Sequence, residues 1–203
     1  LNDLYVVTDS KEIFQSVVNH NGKAIMTKKH NNGTERIYEA SKKIRYDYII
    51  NIQGDEILID PKNIDKLINQ MKINKKDEYF IGVTDFYKEH QYSVFKGIID
   101  NNNYLIYCSR EDIPSSKIIK NNKRLKVVFT VGYTKKSLKK FINLKKSKNE
   151  IREPNEFLRI LDNGLKIKTV KFHKSHISLD TFSDLFKIKK LMKVDKYFIK
   201  KYY

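Results

Sequence analysis

Three observations predict an α/β fold with a mostly parallel sheet and flanking helices. Apolar, β-branched runs recur at 4–8, 22–27, 47–53, 79–85, 125–133 and 166–172. Most of the intervening segments place apolar residues at helical spacing, and Gly, Pro, Asn or Ser mark the changeovers. Buried parallel strands read as near-continuous apolar runs, and strands that alternate with helices are joined by crossovers within one sheet.

The elements follow in order. Strand 4–8 leads through Asp9 and Ser10, either of which can cap, into a helix at 11–20. A short strand, 22–27, precedes a helix at 33–45 with Ile37, Ala40 and Ile44 on one face. Residues 47–53 form the central strand, and 61–73 a helix with Pro61 in its first turn. After strand 79–85, residues 92–100 and 103–108 pair as a hairpin about Asn101, Asn102 and Asn103. Strand 125–133 runs into helix 134–143, whose stripe is Leu138, Phe141 and Ile142. A short helix at 155–162 is stopped by Asn163 and Gly164. Strand 166–172 and helix 181–194, with Leu185, Ile188, Leu191, Met192 and Val194 in a row, complete the chain. No repeat or flexible linker divides it, so residues 1–203 are expected to form one domain.

Composition narrows the classes. A single cysteine, Cys108, excludes an internal disulfide framework and agrees with a reducing compartment. There is no apolar run of membrane-spanning length, and the expectation is a cytoplasmic protein with no membrane partner. A net charge of +17 invites a nucleic-acid reading. The lysines, however, are spread along helix faces rather than gathered in one patch, as in 135–148, where apolar residues recur between them. Solubility and loose attraction of anions account for such charge, and no specific nucleic-acid partner is expected.

Chemistry concentrates at strand ends. Asn-Ile-Gln-Gly-Asp-Glu, 51–56, ends the central strand in a glycine turn and two carboxylates. In open α/β sheets ligands bind beyond the carboxyl ends of strands, and Mg²⁺ is held by one or two carboxylates together with substrate phosphates. Asp55 or Glu56 can therefore face a crevice, although a plain polar turn fits the same residues. His173 and His176, with Lys174 between them on a strand exit, lack further ligands and make a poor zinc site.

Further segments extend the pattern. VVTD (6–9), NGTER (32–36), NIQGDE (51–56), SREDIP (109–114), Gly132-Tyr133, NEFLR (155–159) and LDTFSD (179–184) follow one another in this order. Their order and identity resemble the CMP-Kdo synthetases, the 3-deoxy-manno-octulosonate cytidylyltransferases, from about residue 4 to about residue 192. The resemblance implies a Rossmann-like nucleotidyltransferase in which the hairpin forms a small subregion for sugar binding and dimerisation. It implies transfer of CMP from CTP to a sugar acid such as Kdo, and a homodimer. Asp55 and Asp180 would be the catalytic Mg²⁺ ligands, and Gly33, Thr34 and Arg36 would bind CTP. Gln53, Arg110, Tyr133 and Glu156 would surround the sugar acid, Arg110 because its fork suits a carboxylate.

Each assignment has an ordinary counterpart. Asp180 and Asp9 could cap helices, Arg110 could pair with Glu111 or Asp112, and Glu156 with Arg159 could be a helical pair. Residues 33–36 could be no more than a capped helix start.

Departures within the matched segments fall mostly on the sugar side. Its R-H-L-G-I-Y-G-Y segment reads KVVFTVGY, placing Val127 and Val131 where His and Tyr are expected, and Phe157 stands for Gln. Ile57 and Phe182 replace prolines. The arginine- and lysine-bearing phosphate loop that opens the family sequences has no match, so an N-terminally incomplete domain is expected. A catalytically impaired nucleotide- or sugar-binding remnant is the alternative reading, and a basic nucleic-acid-binding protein a third.

Overall fold

The computed structural model describes residues 2–88, 90–117, 123–173 and 177–202. Two parallel strands, β1 (Val6–Thr8) and β2 (Ala24–Met26), are joined through helix α1 (Lys11–Asn19). Helix α2 (Gly33–Ser41) leads to β3 (Tyr48–Ile52), and α3 (Pro61–Ile73) to β4 (Tyr79–Phe86). The hairpin β5 (Lys96–Ile99) and β6 (Leu105–Ser109) precedes the long β7 (Arg124–Thr134). Helices α4 (Lys135–Ile142), α5 (Lys148–Arg152) and α6 (Phe157–Asp162) follow, then β8 (Ile167–Lys171), α7 (Phe182–Met192) and α8 (Lys196–Tyr202).

The spine of the six-stranded sheet is β7. It pairs antiparallel with β4 over nearly its whole length, while β5 and β3 share its other edge end to end, at Leu125–Lys126 and Thr130–Thr134. Opposite Ile81 and Gly82 the register jumps from Val131 to Val128, leaving Phe129 and Thr130 as extra residues of a bulge. Strand β8 joins β4 in parallel. The α/β class with flanking helices holds, and the expected mostly parallel sheet is mixed in its pairing. Strands β3, β4, β5 and β8 share a direction, and β7 runs against them between its neighbours. An apolar run records burial on both faces and carries no sign of direction.

Helices cover both faces. On one, Leu67 and Met71 of α3 pack against Phe80, Val128, Val170 and Phe172. Contact here is close enough to need glycine, because a Cβ on Gly82 would stand 2.3 Å from the Phe172 ring and one on Gly132 2.4 Å from Met71 Sδ. On the other face Leu138 and Phe141 of α4, with Phe157, Leu158 and Ile160 of α6, meet Tyr79, Ile81, Val127, Val131 and Tyr133. Cys108 is buried in this cluster, and burial pushes its thiol up to about 12, which makes it inert.

Element ends differ in instructive ways. The helix expected to 45 stops at Ser41, and Ser10, not Asp9, caps α1 by accepting from the Ile13 N–H at 3.3 Å. Helix α5 was not anticipated. In α7 only Ile188 of the apolar row is buried, and Phe182 is 84 % exposed.

Candidate active site

Two loops far apart in sequence meet beyond the end of β3. The turn at Gly54 is closed by the Glu56 N–H donating to the Gln53 carbonyl at 3.1 Å. The Leu179 N–H then donates to the Asp55 carbonyl at 3.0 Å, and the Ser178 hydroxyl to Glu56 Oε1 at 3.0 Å. These bonds bring Asp180 to Asp55. The capping of α7 falls to Thr181, whose hydroxyl accepts from the Asp184 N–H while Asp184 accepts from the Thr181 N–H. Asp180 is thereby released from the cap role and is more exposed than Asp55.

The two carboxylates feel each other's charge. Burial and then the Asp55 charge push the Asp180 carboxyl above the usual range, with Lys126 and Arg110 acting against them. Burial likewise raises Glu56, opposed by Lys126 and the Ser178 bond. Asp55 Oδ1 is buried and has no hydrogen-bond partner among the described residues. An orphaned carboxylate oxygen beside a second carboxylate suits a hard cation, which takes oxygen ligands. Among the described residues no three His, Cys, Asp or Glu side chains converge as a protein-only metal cluster.

The amino end of α2 stands next to β3. Asn32 caps it by accepting from the Glu35 N–H at 2.9 Å, and a Cβ on Gly33 would meet only the Asn51 amide, at 3.8 Å. This leaves the helix N-terminus approachable by an anion. Arg36 pairs with Asp9 at 3.0 Å. Thr34 is fully buried, and its hydroxyl donates to Glu156 Oε1 at 2.5 Å and lies 2.9 Å from Tyr133 Oη. Tyr133 is also fully buried. The structure therefore joins Thr34, Tyr133 and Glu156 into one chain of hydrogen bonds that ties α2 to β7 and to the start of α6. Burial raises the Glu156 carboxyl, and the Thr34 hydrogen bonds oppose it. Arg159 does not pair with Glu156. It forks onto Glu150 at 2.8 and 2.6 Å and lies 3.9 Å from Glu35.

Arg110 follows β6 with its guanidinium 4.1 Å over the Phe95 ring. Its neighbour Asp112 is engaged elsewhere, by the His90 N–H at 2.9 Å and by Lys96 at 3.5 Å. Gln53 is half-buried at the Gly54 turn. Val127 and Val131 sit in the core cluster, and Phe157 stacks on Phe129 at 5.4 Å. The His173 N–H donates to Asn63 at 3.0 Å, and His176 lies outside the described residues.

A family model described as Cytidylyltransferase matches residues 1–195. The chain belongs to the cytidylyltransferase family. It is 36 % identical to the 3-deoxy-manno-octulosonate cytidylyltransferase of Thermodesulfovibrio yellowstonii, over 91 % of this chain and 79 % of that protein. The enzyme of the same name from Fusobacterium nucleatum is 37 % identical, over 91 % and 78 %. Among solved structures, a CMP:2-keto-3-deoxy-manno-octonic acid synthetase complexed with CTP superposes with a TM-score of 0.88 at 29 % identity, covering 95 % of this chain and 81 % of that one.

Two buried strand lysines, Lys126 and Lys96, are not singled out by sequence patterning. Lys126 is buried, and its charge draws the carboxyls of both Glu56 and Asp180 downward against the effect of burial. Lys96, fully buried, lies directly across from it in the β5·β7 pair. A lysine inside a strand is the signal that could have found both, because lysine is rarely buried without a partner.

Proposed function

We propose that this chain is a CTP-dependent cytidylyltransferase that activates a 3-deoxy-ulosonic acid, Kdo or a close relative, to its CMP-sugar. A hydroxyl of the sugar acid attacks the α-phosphorus of CTP, the bond to the β-phosphate breaks, and pyrophosphate leaves. The names of the relatives support this reading, and the observation that carries it is the Leu179–Asp55 hydrogen bond, which sets Asp55 beside Asp180.

The residues present fit Mg²⁺ through the orphaned Asp55 Oδ1 and the Asp180 carboxylate. When bound, such an ion neutralises charge on the attacking and leaving oxygens. The chain supplies the rest by positioning and fixed charge. Arg110 receives the sugar carboxylate in its fork, with its plane set by Phe95. Gly33 and the α2 N-terminus receive the nucleotide, and Asp9 holds Arg36 toward it. Gln53 lines the turn, while Thr34, Tyr133 and Glu156 hold α2 against β7 and α6 from below. Lys126 balances the carboxylates when no phosphate is present. The hairpin β5–β6, which leaves Ile106 exposed, is the surface we assign to a homodimer.

One feature favours a sugar acid other than Kdo. Val127, Val131 and Phe157 put apolar groups where the family pattern has His, Tyr and Gln, and all three are buried. The test is pyrophosphate release from CTP and Mg²⁺ with Kdo and with a panel of related ulosonic and nonulosonic acids. Turnover with Kdo supports the primary reading, turnover with a relative alone fixes the altered specificity, and silence with every acid leaves the impaired remnant.

A further inference from the structure

We infer that Lys96 and Glu153 clamp the backbone of Arg110, one at its C=O and the other at its N–H, and act as positioning residues for the sugar-acid site. The inference rests on the reading of Arg110 given above. Lys96 is placed by β5 opposite Ser109 on β6 and Lys126 on β7, at the centre of three strands. Its side chain is fully buried, and its ammonium donates to the carbonyl oxygens of Arg110 and of Gln91, the latter at 3.1 Å. Asp112 Oδ1 lies 3.5 Å away as counter-charge. Glu153, which closes α5, accepts the Arg110 N–H and stands 3.5 Å from the Tyr107 hydroxyl. Donor and acceptor of the same residue are thus both held by charged side chains.

The chemistry argues against a space-filling role. Burying an ammonium is costly unless it is paired and hydrogen-bonded, and a methionine would fill this volume at less cost. The charge here binds backbone carbonyls, and the residue it fixes carries the fork. A guanidinium binds a carboxylate through two parallel hydrogen bonds, so rotating its peptide misaligns both. Phe95, adjacent to Lys96 in β5's approach, sets the guanidinium plane, so one short segment fixes Arg110 at both ends. Hydrogen bonds to charged groups are the stronger kind, which suits a site whose geometry must survive repeated loading.

The experiment compares Lys96→Met and Glu153→Ala with wild type, singly and in an Arg110→Ala background, using CTP, Mg²⁺ and the acid that gives turnover. Each single variant is expected to raise the KM for the acid about tenfold, in keeping with the sensitivity of reactions to small misplacements, with the KM for CTP within about twofold. In the Arg110→Ala background neither should add a further loss. Additive losses there, or equal losses in kcat and both KM values, overturn the clamp. If Lys96→Met does not fold, Glu153→Ala decides, because it removes the other tether at the surface end of α5. An acid KM unchanged by Arg110→Ala itself overturns the reading of Arg110, a separate failure. Should wild type show no turnover, calorimetric binding of Kdo to the same variants carries the comparison, and no binding by wild type overturns both.

Discussion

Leu179 donates its backbone N–H to the carbonyl of Asp55 at 3.0 Å, which makes the loop after β3 and the loop before α7 one structural unit. Because this bond is made by backbone, side-chain changes at 55 and 180 leave it intact. Asp55→Asn and Asp180→Asn are therefore expected to keep the fold and lower Mg²⁺-dependent turnover by at least about a hundredfold, the scale of losing one charge-stabilising group. Circular dichroism and pyrophosphate release check the two halves. Wild-type turnover in either variant would falsify the metal assignment.

Glu156 gives a pH dependence with a defined sign. Burial, the largest cause, lifts its carboxyl above the unfolded value. Between the two values the native state holds the extra proton, so stability falls as pH rises through that window. Glu156→Gln keeps an acceptor for Thr34 and removes the titration. Its melting temperature should exceed wild type near neutrality, with the difference closing on acidification toward the ordinary carboxylate range. A difference constant with pH would show that Glu156 titrates as an exposed group does.

Thr34→Val tests the network below the crevice. The substitution is close to isosteric, but it takes away the partner of both Tyr133 and Glu156. Leaving buried polar groups unsatisfied costs about 1–3 kcal/mol, measurable by urea unfolding. The KM for CTP should rise as well, since Thr34 anchors the turn of α2 that presents Gly33 and Arg36. Unchanged stability would mean that water replaces the hydroxyl.

Much of this arrangement is legible in the sequence. NIQGDE declared a strand end because an apolar run stops there at glycine and carboxylates, and Asn163 with Gly164 marked a helix stop that Gly164 makes with a φ of 72°. The direction of β7 was not legible, because partner choice in a sheet is tertiary. Helix α5 was missed for its brevity and its charge, although Ser147-x-x-Glu150 is a capping box, and the structure forms it with both hydrogen bonds. The full burial of Thr34 and Tyr133 was not legible for the same reason. Motif position says which residues gather, and depth below the surface is decided by what packs over them.

The Glu150–Arg159 pair separates stability from function. Both side chains are buried, and the fork onto Glu150 leaves Arg159 Nη1 3.9 Å from Glu35 in the first turn of α2. Glu150→Ala strands a buried guanidinium and should cost about 3–5 kcal/mol. Glu150→Leu with Arg159→Met removes both charges, and well-packed apolar replacements of such pairs are often neutral or stabilising. The double variant should therefore recover most of the melting temperature lost by Glu150→Ala. It does not restore the contact to Glu35, so α2 stays less firmly held against α6. The expected outcome is a near-wild-type melting curve with a KM for CTP raised severalfold, read from pyrophosphate release at saturating sugar acid. Recovery of both together would show that the pair serves the core alone; recovery of neither would show that the fork fixes the α5–α6 connection on which the site floor rests.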